Sequence, residues 1–135
     1  MPIVPSHEQL VQLMSDAESD AGEVVMLNLL RYKKKADDGV SSGGESYERY
    51  SDAALKMVAE QGGHVVWMGR PTQVFIGDDD AEQWDAVALV SYPSRAHFLE
   101  MISKPSYKDA STHREGGLED TVLLPMRPAP GFASQ

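Results

Sequence analysis

An α+β fold is predicted, built on one antiparallel four-stranded sheet with helices on a single face. Three observations carry this expectation. Strand-like segments rich in Val, Leu and aromatic residues alternate with stretches whose apolar residues recur at helical spacing. After one extra leading helix, the resulting order is β-α-β-β-α-β, the ferredoxin-like split βαβ arrangement. The strands are apolar on both faces, although there are helices enough to cover only one.

The elements follow in chain order. Ser6 caps a helix over residues 6–14, Gln9 completes a capping box, and Leu10, Leu13 and Met14 form the stripe. The polar residues 15–22 lead into a strand over 23–32. Residues 33–44 are charged and Gly/Ser-rich, with no apolar anchor beyond Val40, and read as a mobile loop. Ser46 caps a helix through Gln61 that carries Tyr47, Tyr50, Ala54, Met57 and Val58 on one face, and Gly62-Gly63 supplies a left-handed stop.

Strands over 64–76 and 82–92, joined by 77–81, read as a hairpin, with Gly69 and Pro71 marking a bulge or an edge. Ser94 caps a short helix with Phe98, Leu99 and Ile102, which Pro105 breaks. A further turn or two covers 106–114, Gly116-Gly117 stops it, and 118–126 form the last strand. One domain spans 1–135, with its core at about 22–126 and a loose tail at 127–135.

Alternation within the strands points beyond a single chain. Val25, Leu27 and Leu29 oppose Val24, Met26, Leu30 and Tyr32, and Trp84, Ala86, Ala88 and Val90 oppose Val87 and Leu89. In the last strand Leu118, Val122, Leu124 and Met126 oppose Leu123. The simplest cover for the second apolar face is another copy of the chain, sheet against sheet.

Composition removes several function classes. Twelve Lys and Arg face 21 Asp and Glu, for a formal net charge of −9 and a pI near 4.7. Nucleic-acid binding needs the opposite balance. With no cysteine there is no disulfide, thiolate nucleophile, Fe–S cluster or Cys-ligated zinc. His7, His64, His97 and His113 lack metal-motif spacing, and His97 with Glu100 has no third ligand nearby. Asp78-Asp79-Asp80 lacks the pattern of a calcium loop. The N-terminus has no signal-peptide pattern, and residues 24–30 fall far short of the ~20 a spanning helix needs, so no membrane role and a cytoplasmic location are expected.

Several residues can carry chemistry. Asn28 sits mid-strand on the Met26 and Leu30 face, where its carboxamide is either satisfied by backbone or presented as a donor to a pocket between sheet and helices. Tyr47 and Tyr50 either pack or line that pocket with their hydroxyls. His113 beside Arg114 offers a general base and an anion clamp, or else a solvated helix end. Alternation sets Trp84 and Asp85 on opposite faces, with Asp85 available to pair with Arg31, Arg114 or a residue of a second copy across the dimer.

Met26-Leu27-Asn28-Leu29-Leu30-Arg31-Tyr32, Tyr47-Glu48-Arg49-Tyr50, Gly62-Gly63, Trp84-Asp85-Ala86-Val87, Tyr92-Pro93-Ser94-Arg95-Ala96 and His113-Arg114 with Gly117-Leu118 form one ordered pattern. It resembles the domain-of-unknown-function family 1330 of the dimeric α+β barrel superfamily, over roughly residues 22–126. The leading helix and the 33–44 loop depart from the short family form and can reshape a pocket mouth. The resemblance implies a face-to-face dimer and no established activity. Its recurrent polar positions fall on Asn28, Arg31, Tyr50, Trp84, Asp85, Tyr92, His113 and Arg114.

The superfamily includes cofactor-independent monooxygenases, muconolactone-type isomerases and haem proteins, which by analogy frame the expectations. The first is an enzyme without cofactor or metal acting on an aromatic or enolisable acid. In it Asn28 and Tyr50 polarise the substrate, His113 moves a proton, and Arg114 or Arg31 holds a carboxylate, with Tyr47, Trp84, Asp85 and Tyr92 around it. The second is a ligand-binding or sensing homodimer without turnover. The third is haem binding through His113 or His97. Light scattering at micromolar concentration is expected to return the mass of two chains; the mass of one would remove the sheet-against-sheet reading.

Overall fold

In the computed structural model, which describes residues 2–78 and 84–133, eight elements follow one another. They are α1 (His7–Ser19), β1 (Val24–Tyr32), α2 (Gly43–Glu60), β2 (His64–Gly69), β3 (Ala86–Tyr92), α3 (Arg95–Ser103), α4 (Pro105–Gly117) and β4 (Leu118–Met126). The strands form one antiparallel sheet in the order β2-β3-β1-β4, so β1 is central and its sequence neighbour in space is β3. This is the ferredoxin-like arrangement predicted from the order of elements.

Capping explains where the helices start. The Ser6 hydroxyl accepts from the Gln9 N–H while Gln9 returns the bond to the Ser6 N–H, the capping box expected from the sequence. The helix it opens runs on to Ser19, through residues whose polarity had suggested a connection. The second helix starts earlier than expected. Its cap is Ser42, paired reciprocally with Glu45, and Ser46 is instead buried inside the first turns with its hydroxyl donating to the His113 carbonyl at 2.7 Å. Gly62 takes φ 78°, the left-handed stop that Gly62-Gly63 predicted.

The 33–44 segment is fixed in place and is not a free loop. Its anchor is Ala36, 4% exposed, whereas Val40 is 89% exposed. The Lys33 and Asp37 N–H groups donate to the Gly117 and Gly116 carbonyls, and the Gly43 N–H donates to the Lys33 carbonyl. The Asp38 carboxylate gathers the Val40 and Ser41 N–H groups, the Ser41 hydroxyl and Arg49. Those bonds, the Ser41 hydroxyl first, hold its carboxyl down at about 2.

Two strands are shorter than the sequence suggested. β2 ends at Gly69, just before Pro71, and β3 begins at Ala86; of the turn expected at 77–81, residues 79–81 lie outside the described residues. Phe75 and Ile76, expected in a strand, stand exposed beyond β2. At the other end, Pro105 starts α4 as its first residue. Gly116 and Gly117 stay in the helix with no positive φ, and β4 follows at once.

A register shift opposite Arg31 and Tyr32 moves Leu118 onto the helix face, where it is 1% exposed, rather than beside Val122 as strict alternation had placed it. The helix face holds two apolar clusters. Val24, Met26, Val58, Tyr92, Phe98 and Met101 form one, and Leu30, Tyr47, Ala86 and Leu118 form the other. Each fully buried side chain of this size contributes about 1.5–3 kcal/mol. The opposite face carries Val25, Leu27, Leu29, Val87, Leu89, Val122 and Leu124 in register, with no helix over it among the described residues.

Gly43 and Gly117 mark the tightest backbone approach. A Cβ on Gly43 would lie 2.1 Å from the Lys33 carbonyl oxygen, and one on Gly117 would lie 2.4 Å from the Gly43 oxygen. Gly44 next door meets nothing closer than 3.6 Å. Gly43→Ala is expected to cost about 1–3 kcal/mol in urea unfolding while Gly44→Ala costs nothing or stabilises slightly. Equal midpoints for the two would mean the junction is not close-packed.

Candidate functional site

Along β1 the residue between the two apolar clusters is Asn28, flanked by Met26 on one side and Leu30 on the other. Its register partners Ala88 and Leu123 put it on the helix face. The amide nitrogen donates to the Met26 carbonyl at 3.2 Å and the Ala88 carbonyl at 3.3 Å. Both partners can only accept, which fixes the orientation of the carboxamide. The expected donor is therefore used up by backbone, and the group left to the space above the sheet is the carbonyl oxygen, an acceptor.

All five tyrosines converge on this side of the sheet. Tyr32, Tyr47, Tyr50 and Tyr107 form a chain of ring contacts with centroids 5.5, 5.2 and 5.9 Å apart. The Tyr50 and Tyr107 hydroxyls are hydrogen-bonded at 2.9 Å and join α2 to α4. Tyr92 stands edge-on to Phe98 at 5.2 Å. Tyr107 was not anticipated, although its spacing with Ala110, Ser111 and Arg114 is the inward period of a helix.

Burial raises the hydroxyl pKa of Tyr47, Tyr50 and Tyr92 well above the ordinary phenol value; neighbouring phenols add to it, and Arg114 offsets part of it for Tyr47 and Tyr50. Tyr32 is raised for the same reason, with the Asp85 charge adding to it. These groups stay protonated at neutral pH and act as donors. Among the described residues, the one fully occluded side-chain polar atom with no partner is Arg95 Nε. The Tyr47 and Tyr92 hydroxyls and the Asn28 carbonyl oxygen have no hydrogen-bond partner there either, so each faces space that water can reach.

Arg114 reaches this corner from α4 and donates to the Ile3 carbonyl at 2.6 Å. Its neighbour does not follow it. Tyr107, Ala110, Ser111 and Arg114 share the inward face of α4, whereas His113 falls with Ser106 and Asp109 on the exposed face. What ties His113 to α2 is its backbone carbonyl, which accepts from the Ser46 hydroxyl.

Arg31 also lies elsewhere. It shares the helix-free face with Asp120, which it meets at 3.3 Å, and stands 5.8 Å over the Trp84 ring. The two arginines proposed as alternative clamps thus occupy opposite faces of the sheet. Asp85 accepts the Tyr32 N–H at 2.8 Å, a structural use. Trp84 and Asp85 precede β3, so strand alternation does not separate them. Both line an open hollow of about 380 Å³ together with Arg70, Pro71 and Thr72. Among the described residues no group of three or more His, Asp or Glu side chains is placed to hold a metal ion, and no helix is long and apolar enough to cross a membrane.

These features define a ferredoxin-like α+β protein with one helix-covered face, one uncovered apolar face and a belt of phenols between sheet and helices. The family described as Domain of unknown function (DUF1330) matches residues 41–126, and the chain belongs to it. The RPA0582 protein of unknown function from Rhodopseudomonas palustris is similar at 36% identity, over 94% of this chain and 96% of that one, with a TM-score of 0.87. A dimeric protein of unknown function with a ferredoxin-like fold from Bacteroides fragilis shares 12% identity over 78% and 96% of the two chains, TM-score 0.53. Hydroxynitrile lyase from Passiflora edulis shares 15% over 84% and 99%, TM-score 0.55. At such identities the likeness is one of fold. No curated protein matches.

Raised phenol pKa values set an alkaline limit on stability. The contribution is complete below the ordinary value of 10 and is lost as pH climbs through the raised values in the folded state. Ultraviolet titration is expected to ionise only part of the tyrosine absorbance up to pH 11, and the rest together with unfolding. Complete, reversible ionisation in the native protein near pH 10 would contradict the buried belt.

Proposed function

We propose that the chain forms a homodimer through its uncovered sheet face and binds a small aromatic or enolisable carboxylic acid in the tyrosine-lined space on the helix side. The observation that carries the ligand half is the set of unpaired polar atoms in an otherwise apolar layer, the Tyr47 and Tyr92 hydroxyls and the Asn28 carbonyl oxygen. The contiguous rings of Tyr32, Tyr47, Tyr50 and Tyr107 offer an aromatic surface on which a flat apolar ligand can pack. Arg114, held at that corner by its bond to the Ile3 carbonyl, supplies a cation to meet a carboxylate. The cytoplasmic location expected from the sequence belongs to the same reading.

Binding without turnover is the form that the side chains favour. The phenols and Arg114 donate, Asn28 Oδ1 accepts, and none of them is a base at neutral pH. His113, expected to move a proton, faces outward. The haem expectation loses His113 in the same way, and His97, whose Nδ1 is bonded to the Ser94 hydroxyl at 2.6 Å, keeps Nε2 as its one nitrogen for an axial bond. A second reading rests on one observation. Phenols held protonated beside an arginine stabilise an enolate oxygen as it forms, so electrophilic assistance to an enolising substrate suits the same groups.

The dimer half rests on the register. Val25, Leu27, Leu29, Val87, Leu89 and Val122 form a continuous apolar surface with Leu124 at 45% exposure. Such a patch on a small domain marks an interface.

Native mass spectrometry of the protein as purified is expected to give a dimer carrying a small-molecule adduct. Leu27→Asp is expected to leave a folded monomer. Arg114→Gln should weaken binding of an identified acid about tenfold or more, the loss of a charge-assisted bond of about 1.5–3 kcal/mol, while His113→Ala leaves it unchanged. A wild-type monomer would remove the dimer. A dimer that takes up no aromatic acid would remove the ligand, and a converted adduct would favour the enolising reading.

A further inference from the structure

Residues 2–6, directly before α1, are stiff and seated on the proposed binding corner. Pro2 and Pro5 bracket Ile3 and Val4, and a residue before proline is held in extended conformations. Ser6 then fixes the far end as the cap of α1. Between these restraints Ile3 turns inward. It packs on the Leu30, Tyr47, Ala86 and Leu118 cluster beside Tyr32 and Tyr50, while Val4 is 52% exposed. Its carbonyl oxygen is the acceptor for Arg114 Nη1 at 2.6 Å.

An apolar group on the tyrosines joined to an oxygen acceptor on Arg114 is the chemistry proposed above for the ligand. We infer that residues 2–6 are a built-in competitor: Ile3 occupies the place of the ligand's apolar group and its carbonyl that of one carboxylate oxygen. This rests on the binding reading of the preceding subsection and adds to it the class of ligand that displaces the strap. A neutral backbone carbonyl makes one bond to the guanidinium, whereas a carboxylate offers charge and a second oxygen. An anionic aromatic therefore displaces the strap where its neutral counterpart does so less well.

The strap scales the apparent affinity down to the fraction of time it is unseated. Replacing Ile3 by Gly removes the apolar anchor and leaves the Arg114 corner intact. Isothermal titration of the 135-residue chain with 2-naphthoate is expected to show binding tightened about three- to tenfold in Ile3→Gly. Neutral 2-naphthol should bind more weakly than 2-naphthoate to both proteins. In the wild type, saturating 2-naphthoate should speed hydrogen exchange at the amides of residues 3, 4 and 6, a readout that needs no variant. Unchanged or weaker binding by Ile3→Gly, or slower exchange in the strap, would make these residues part of the pocket wall and overturn the inference while leaving the pocket. Preference for 2-naphthol would overturn the carboxylate clamp. Failure of both probes on both proteins would remove the pocket itself.

Discussion

A backbone junction at one end of the sheet sets the positions of everything above it. There the end of β1, the start of α2 and the passage from α4 into β4 touch without side chains between them, through Lys33, Gly43, Gly116 and Gly117. The hydrogen bonds run from Lys33 and Asp37 to the two glycine carbonyls and from Gly43 back to Lys33. Because backbone meets backbone, no rotamer change can absorb a shift, and the two helices are fixed in rotation as well as in distance. That rotation turns Tyr47 and Tyr50 of α2 toward Tyr107 and Arg114 of α4, and turns His113 away.

The same junction explains why the fold was easier to read than the site. Capping pairs, left-handed glycines and two-sided apolar strands are local signals, and Ser6 with Gln9, Gly62 and the alternation of β1 gave correct elements. Ser42 was passed over because Gly43 and Gly44, both poor helix formers, separate it from Glu45; their role is to permit contact, which a propensity argument counts against them. Ala36 carries no periodic signal, so the ordering of its loop by the α4 end was invisible. One register shift between Arg31 and Tyr32 was enough to move Leu118 to the other face.

For the site, residue type was informative and direction was not. Asn28 stood out as polar within an apolar strand, yet whether it donates or accepts depended on two carbonyls, one of them 60 positions away. Arg31 and Arg114 looked equivalent as carboxylate clamps, and strand parity in β1 turns the first toward Asp120 while helical phase in α4 turns the second toward the phenols. His113 was favoured for its chemistry, whereas the helical phase of Tyr107, Ala110 and Arg114 already assigned the inward face to others. A catalytic role argued from residue type has to be checked against the phase of the element that carries it.

The aromatic residues are sorted by kind between the two faces. Every tyrosine lies with the helices, while Trp67 stands opposite Leu89 on the uncovered face and Trp84 lies under Arg31 on that same side. The two chromophores therefore look onto different events. Tyrosine absorbance reports the space beneath the helices, and indole emission reports whatever meets the open sheet. The native chain thus carries a separate optical label for each of its two surfaces, with no dye and no substitution needed to tell occupancy of one from burial of the other.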